Sequence, residues 1–260
     1  MEAKDTEIYS KLAPLYDILM GDVDYESWAD FIDEIMQTHH PEPIDVLEIA
    51  CGTGSVLVSL AELECYKLTG TDLSPEMIEM AKKKAVDFDV TVDFEAKSFA
   101  NLDYENRFDC VYSVFDSVNY LHTSEEMLQL FDNVANALKP GGIFIFDFST
   151  PKNSIQSVEF LNEAEGERGN FRFYRTSRYH PHTKQHFNEF EIDERDPDTG
   201  KIIHTYKETH VQRAYTLHEM LSILEQTSYH QLAKYDGFDL IQATDNSARV
   251  TMVLQWQKTQ

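Results

Sequence analysis

Apolar residues recur at three- and four-residue spacing over Trp28, Phe31, Ile32, Ile35 and Met36, the mark of a helix burying one face. That pattern and its flanks predict helical structure across 6–40, stopped by Pro41 and Pro43. A short apolar run at 46–50 then predicts a strand, which leads through Cys51-Gly52-Thr53-Gly54 into a helix ending near Leu63. Further strands are predicted at 66–70, 90–95, 108–114 and 143–148. Between them, Ser74-Pro75-Glu76 supplies an N-cap and a proline in the first turn for a helix reaching Ala85. A second helix opens at Ser124-Glu125-Glu126 and closes at Leu138-Lys139-Pro140-Gly141-Gly142. Buried strands alternating with helices imply an α/β fold, a doubly wound and mostly parallel sheet covered on both faces.

Beyond about 168 the period changes. Runs at 171–179, 186–194 and 202–215 predict three strands, with a strong turn at Asp196-Pro197-Asp198-Thr199-Gly200. They form a small antiparallel β meander inserted into the α/β pattern. Thr216-Leu217-His218-Glu219 has capping-box spacing and starts another helix, and strands near 231–236 and 250–257 bring the main sheet to seven.

Composition narrows the function. Forty-six acidic residues against 22 basic give a net charge of −24, which disfavours unspecific attraction to nucleic acid or to anionic membranes. Hydrophobic residues at 42% and aromatics at 12% are enough for a sizeable core. Cys51, Cys65 and Cys110 form no CxxC pair, which fits a reducing compartment. The charged N-terminus lacks the apolar stretch of a signal peptide, and the run at 143–148 is too short to span a bilayer. The expectation is a cytoplasmic protein with no membrane partner.

The strand-loop-helix at 46–60 carries the chemistry. Gly52 and Gly54 let the backbone turn tightly and approach a ligand at a helix N-terminus. A dinucleotide fingerprint would need Gly or Ala where Leu57 stands, and no Gly-Lys-Ser/Thr ending of a phosphate-binding loop is present. Instead Glu48 precedes Gly52 by four positions; its carboxylate would repel a pyrophosphate but hold an ammonium group. Asp72, at the end of the second strand, is placed to accept hydrogen bonds from ribose hydroxyls. A ligand with a ribose, an amino group and no pyrophosphate is S-adenosylmethionine.

These residues resemble the class I S-adenosylmethionine-dependent methyltransferases. The matching stretches are 46–54, 70–77, Phe108-Asp109-Cys110-Val111 and Leu138-Lys139-Pro140-Gly141-Gly142, in the family's order and spacing. The segments 9–20, 115–121 and 208–213 are similar to a bacterial subgroup acting on small molecules, many of unassigned substrate. The resemblance implies a Rossmann-like core in which Glu48, Ala50, Cys51, Gly52, Thr53 and Gly54 face the methionine moiety. It implies that Asp72 binds the ribose, with Leu73 and Met77 near the adenine. Val114 and Phe115 would wall the cofactor, and Tyr16 would close over it. Where the family often has an acid meeting the adenine amino group, this chain has Lys97, so the contact would fall to Ser98 or to backbone groups, and Phe99 beside it counts among the cofactor-binding residues. Three parts follow: an N-terminal helical lid over 1–41, a cofactor-binding core over 42–150 and 211–260, and an inserted antiparallel cap over 151–210.

The implied reaction is in-line methyl transfer to nitrogen or oxygen of a small-molecule acceptor, with a homodimer as a candidate assembly. An RNA methyltransferase and a non-catalytic binding module are the alternatives. A hydroxyl acceptor would want a general base, for which His122 and His210 are candidates. His122 is equally placed to be a loop residue capping the next helix. Arg213 would bind a substrate carboxylate or fix the junction between the meander and the core. Tyr9 and Tyr16 share one helical face at a spacing that suits a core or a lid. Cys51 reads as a small filler of the loop rather than a nucleophile, and His180, His182 and His186 as meander surface rather than metal ligands. Finally, 168–184 holds Arg168, Arg172, Arg175, Arg178 and Lys184 with no acid, facing Glu189, Glu191, Asp193 and Glu194 on the next strand. Either the run binds an anion or RNA, or cross-strand pairing absorbs it, and the second reading is favoured.

Overall fold

A computed structural model describes residues 3–257. Residues 1–2 and 258–260, the outer ends of the expected lid and core segments, lie outside the described residues. In chain order the strands are β1 (Lys4–Asp5), β2 (Asp45–Ile49), β3 (Lys67–Asp72), β4 (Asp93–Ala96), β5 (Phe108–Ser113) and β6 (Leu138–Ser149). They continue with β7 (Glu165–Arg168), β8 (Phe171–His180), β9 (Gln185–Arg195), β10 (Ile202–Arg213), β11 (Tyr229–Asp236), β12 (Asp239–Gln242) and β13 (Arg249–Trp256). The helices are α1 (Tyr16–Leu19), α2 (Tyr25–His39), α3 (Ser55–Ala61), α4 (Pro75–Asp87), α5 (Ser124–Ala137), α6 (Pro151–Leu161) and α7 (Leu217–Leu224).

The main sheet runs β12-β11-β13-β6-β5-β2-β3-β4. Its β6-β5-β2-β3-β4 portion is parallel, while β13 joins β6 antiparallel. After β2 the chain adds β3 and β4 on one side and β5 on the other, so strand order reverses at β2/β5. A crevice opens at such a switch point beyond the carboxyl ends of the strands. Continuous apolar runs bury both faces of this sheet. Phe144 and Phe146 of β6 cluster with Phe131 of α5 and Met220 of α7 on one side, and Val46 of β2 and Ile145 of β6 with Ile32 and Ile35 of α2 and Leu57 of α3 on the other. The short hairpin strand β12 makes this an eight-stranded sheet rather than seven. Its four residues are all exposed, so no apolar alternation announces it.

The second sheet runs β1-β10-β9-β8-β7, with the meander of β8, β9 and β10 at its centre. Register puts Arg175 opposite Phe190 and Asn188 opposite His210. Phe173, Phe190 and Ile192 pack with Leu12 and Leu15 from the N-terminal segment.

The segment 6–40 is not helical throughout. Only 25–39 keeps the apolar period that buries Trp28, Ile32 and Ile35. Upstream, Lys4–Asp5 pairs parallel with β10, and residues 13–15 form one 3-10 turn around Pro14. Glu208 of β10 takes the amides of Tyr9, Lys11 and Leu12, which holds that stretch out of a helix. Helix α6 was also beyond the reach of periodicity, since Ser154 is its one buried residue while Ile155 and Phe160 are exposed. No described helix is long and apolar enough to cross a membrane.

Candidate functional site

The carboxyl end of β2 delivers a loop in which Ala50, Gly52 and Gly54 all have positive φ. At Gly54 a Cβ would come within 2.9 Å of Phe94 Cζ and 3.0 Å of Ala81 Cβ, so glycine lets α3 pack against β4 and α4. The Cys51 amide donates to Thr71 O at 2.9 Å, tying the loop to β3. Asp72, at the end of β3, accepts the Gly52 amide on Oδ2 and the Ser74 amide on Oδ1, each at 2.9 Å. Burial pushes its carboxyl up, and these amides pull it back.

Glu48 is 2% exposed, and among the described residues its one side-chain hydrogen bond comes from the Tyr112 hydroxyl, at 3.1 Å on Oε2. Burial lifts this carboxyl well above the usual range, with the Asp72 charge adding to the effect. No cation of the described residues lies within ion-pair distance of it. A cationic ligand would restore the charged form, so the donor set suits an ammonium group.

Both carboxylates line one cavity of about 520 Å³. Tyr16, Ala50, Cys51, Gly52 and Thr53 also line it, as do Leu73, Met77, Ser98, Phe99, Val114 and Phe115. Gly54 lies behind the wall and caps α3. Burial raises the Cys51 thiol well above its ordinary value, which disfavours the thiolate. Lys97 lines the cavity too, but its ammonium pairs with Asp103 and, at 3.2 Å, with Glu95. Its backbone amide donates to Asp72 O at 2.9 Å.

The three residues singled out for catalysis have different fates. His122 lines the cavity; its Nε2 sits 2.8 Å from Val211 O, so Nε2 carries the proton and Nδ1 is left as the acceptor. His210 does not line it. Thr209 and Val211 do, and strand alternation turns His210 to the opposite face of β10, where it is 2% exposed. There Nδ1 is 2.9 Å from the Tyr120 hydroxyl. Arg213 does not line the main cavity either. It donates to His122 O at 2.6 Å and to Glu219 Oε1 at 3.2 Å, and borders a second, polar recess of about 250 Å³.

The basic run on 168–184 is largely consumed by pairing. Arg178 makes a bidentate pair with Glu189 at 2.6 and 2.9 Å. Arg172 meets Glu165 of the preceding strand at 2.5 Å, and Lys184 meets Glu219 at 2.8 Å. Arg175 differs, with Nε and Nη2 both on Asn188 Oδ1 and its plane over the Phe190 ring. His180 and His186 fall on opposite faces of the meander, so they cannot share a metal ion.

Several contributors came from long-range contacts that spacing does not encode. Tyr25 and Tyr120 line the cavity, and so does Tyr9, which stands in a turn with positive φ and not on one helical face with Tyr16. Lys84 bonds Asp17 at 3.0 Å, Thr53 at 2.9 Å and Ser55 at 2.5 Å, pinning α1 to the glycine loop. That pin sets Tyr16 over Gly52, whose Cβ, if present, would stand 3.8 Å from Tyr16 Cε1.

Comparison with known proteins agrees with this geometry. A family model described as a methyltransferase domain matches residues 46–142. A protein of Geobacillus sp. (strain WCH70), named as a methyltransferase, is 30% identical over 249 residues, covering 94% of this chain and 98% of its own. A solved S-adenosylmethionine-dependent methyltransferase from Clostridium acetobutylicum superposes with a TM-score of 0.76 at 26% identity, covering 96% of this chain and 99% of its own. A Streptomyces venezuelae N,N-dimethyltransferase of a dTDP-amino sugar is 30% identical over 137 residues, 52% of this chain and 56% of its own.

Proposed function

Because the chain belongs to the S-adenosylmethionine-dependent methyltransferases, enzymes with S-adenosylmethionine as cofactor, we propose that it methylates nitrogen or oxygen of a small molecule. The observation that carries this reading is the pair of buried carboxylates, Glu48 and Asp72, on one cavity at the switch point of the sheet. The cofactor, when bound, supplies an activated methyl group on a sulfonium. Glu48 then holds the ammonium of the methionine moiety, a charge match that offsets the cost of burying the carboxylate. Asp72, already oriented by the Gly52 and Ser74 amides, presents its free lone pairs to the ribose hydroxyls. Leu73 and Met77 flank the adenine, with Ser98 and backbone groups in place of the missing acid.

The remaining wall positions the acceptor and excludes water. Phe115, Tyr16 and Tyr25 enclose the methionine end, and in-line displacement gains its rate from such alignment. His122 offers Nδ1 as an acceptor for the substrate, while Arg213 fixes the loop that carries it. A cavity of about 520 Å³ suits a cofactor and a small molecule. The amino-sugar methyltransferase among the relatives supports the same class of acceptor. The net charge of −24 and the paired arginines of the meander speak against RNA. Titration calorimetry with S-adenosylhomocysteine and S-adenosylmethionine tests the cofactor site, and absence of heat at millimolar ligand defeats it. A labelled-methyl screen over amines, alcohols and phenols then identifies the acceptor and the atom methylated.

A further inference from the structure

Two hydroxyls on the cavity wall lead inward to a histidine and a carboxylate. Tyr9 Oη lies 2.7 Å from Tyr120 Oη, which lies 2.9 Å from His210 Nδ1. On the far side of the ring, Nε2 faces Glu208 Oε2 at 3.5 Å, and the Glu208 side chain has no exposure. Glu208 accepts the amides of Tyr9, Lys11 and Leu12 at 2.7, 2.6 and 3.0 Å. Those three donors account for Glu208 as a clamp on the N-terminal segment. They do not account for His210, whose buried Nε2 has no hydrogen bond of ordinary length and points at that carboxylate.

We propose that Tyr120 is the general base for methyl transfer and that His210, backed by Glu208, receives its proton, which assigns the attacking atom of the acceptor to a hydroxyl oxygen. The proposal rests on reading the cavity as the site of methyl transfer. As the acceptor oxygen bonds the methyl carbon and the carbon–sulfur bond breaks toward sulfur, the acceptor proton passes to Tyr120 Oη. The proton already on Tyr120 moves to His210 Nδ1, and the imidazolium so formed is held against the Glu208 carboxylate. No oxidant or further reactant is needed. An amine that binds as the free base attacks without losing a proton in that step, whereas a hydroxyl must lose one as it attacks, which is what a relay leading away from the cavity supplies.

The surroundings suit a concerted hand-over rather than a free tyrosinate. Burial pushes the Tyr120 phenol up, while its bond to Tyr9 and the charge of Arg175 act the other way. From β9, Asn188 lies beside His210 in register and the Phe190 ring packs on it, and Arg175 of β8 stands over Phe190. Tyr9 packs edge-on against the imidazole at 4.5 Å. The Glu208 carboxylate faces Nε2 at 3.5 Å, across the ring from the nitrogen that meets Tyr120. His122, by contrast, has its Nε2 tied to a backbone carbonyl, Val211 O at 2.8 Å.

The test is nitrogen-15 spectroscopy of histidine-labelled protein saturated with S-adenosylhomocysteine, with H210N assigning the signals. The relay requires an unprotonated Nδ1 and a protonated Nε2 on His210. Y120F should shift the Nδ1 resonance and leave Nε2 nearly unmoved. E208Q should shift the Nε2 resonance, because the ring loses the carboxylate it faces at 3.5 Å. A resting His210 protonated on Nδ1 would overturn the proposal, because Tyr120 would then have nowhere to send its proton. An unmoved Nε2 resonance in E208Q would do the same, and if that variant does not fold the Nδ1 state in Y120F and in the parent protein still decides. An acceptor found to carry its new methyl on nitrogen overturns the assignment of oxygen. Heats of S-adenosylhomocysteine binding on the same samples report separately on the cofactor site, so its failure is not confused with failure of the relay.

Discussion

The Gly52 amide donates to Asp72 Oδ2 at 2.9 Å, joining the first glycine of the loop to the last residue of the second core strand. With the Ser74 amide on Oδ1, this bond orients the carboxylate before any ligand arrives. In Asp72→Asn one end of the side chain becomes an NH₂ group facing an amide that also donates. Affinity for S-adenosylhomocysteine should fall by about tenfold to a hundredfold, or roughly 1.4–2.8 kcal/mol. Calorimetry checks it, and a loss smaller than threefold would remove Asp72 from the site.

Glu48 trades stability for binding. Its carboxyl is raised by burial, so the folded, ligand-free protein holds a proton that the unfolded chain has already released. The native state therefore binds more protons above the ordinary carboxylate range, and this group's contribution to stability is lost as pH rises through that window. Glu48→Gln should melt higher than the parent at neutral pH without cofactor, since the carboxamide can still accept from Tyr112. Cofactor binding favours the ionised form, so it should release a proton and tighten as pH rises. In the variant binding should be weaker and lose this dependence. Calorimetry in buffers of different ionisation enthalpy measures the released proton directly, and equal heats would refute the account.

How far the site could be read in advance depends on how each residue is held. Glu48, Gly52 and Asp72 sit at the ends of parallel strands, whose positions follow from apolar runs and whose carboxyl ends share one edge of the sheet. The meander is different. A one-residue difference in parity decides whether His210 faces the cavity or the opposite side of β10, and the alternation there mixes polar residues on both faces. The Glu208 clamp joins residues 196 to 199 apart in the chain, and the bond between Tyr9 and Tyr120 spans 111. No local pattern encodes such contacts. The same clamp overrode the helical reading of the N-terminal segment, because one buried carboxylate satisfies three amides that a helix would otherwise have used.

Lys84 links α1 to the glycine loop through Asp17, Thr53 and Ser55, and the pair with Asp17 is partly buried, at 17% and 29% side-chain exposure. Lys84→Met removes the link while keeping most of the aliphatic stem. Tyr16, on the same short helix as Asp17, would then be held less firmly over Gly52. Dissociation of S-adenosylhomocysteine should quicken by roughly threefold to tenfold with little change in association, the effect of losing a partly exposed ion pair. Stopped-flow fluorescence follows it, and an unchanged dissociation rate would show that α1 does not close over the ligand.

Arg249 reaches Asp147, which is fully buried, and Asp116 at 2.7 Å, while the Asp116 amide donates to Asp147 Oδ1 at 2.8 Å. These bonds hold the turn after β5, where Phe115 and Asp116 both have positive φ and Phe115 is aimed into the cavity. Positive φ costs a non-glycine residue energy, so the turn depends on its anchor. Arg249→Met leaves two carboxylates without their cation, one in the core of the sheet. The expected loss is about 3–5 kcal/mol of unfolding free energy. Asp147→Asn in the same background should recover part of it, because it removes the buried charge that Arg249 had balanced. Urea unfolding of the single and double variants measures both, and a double variant no more stable than Arg249→Met would mean that the arginine acts by packing rather than by charge.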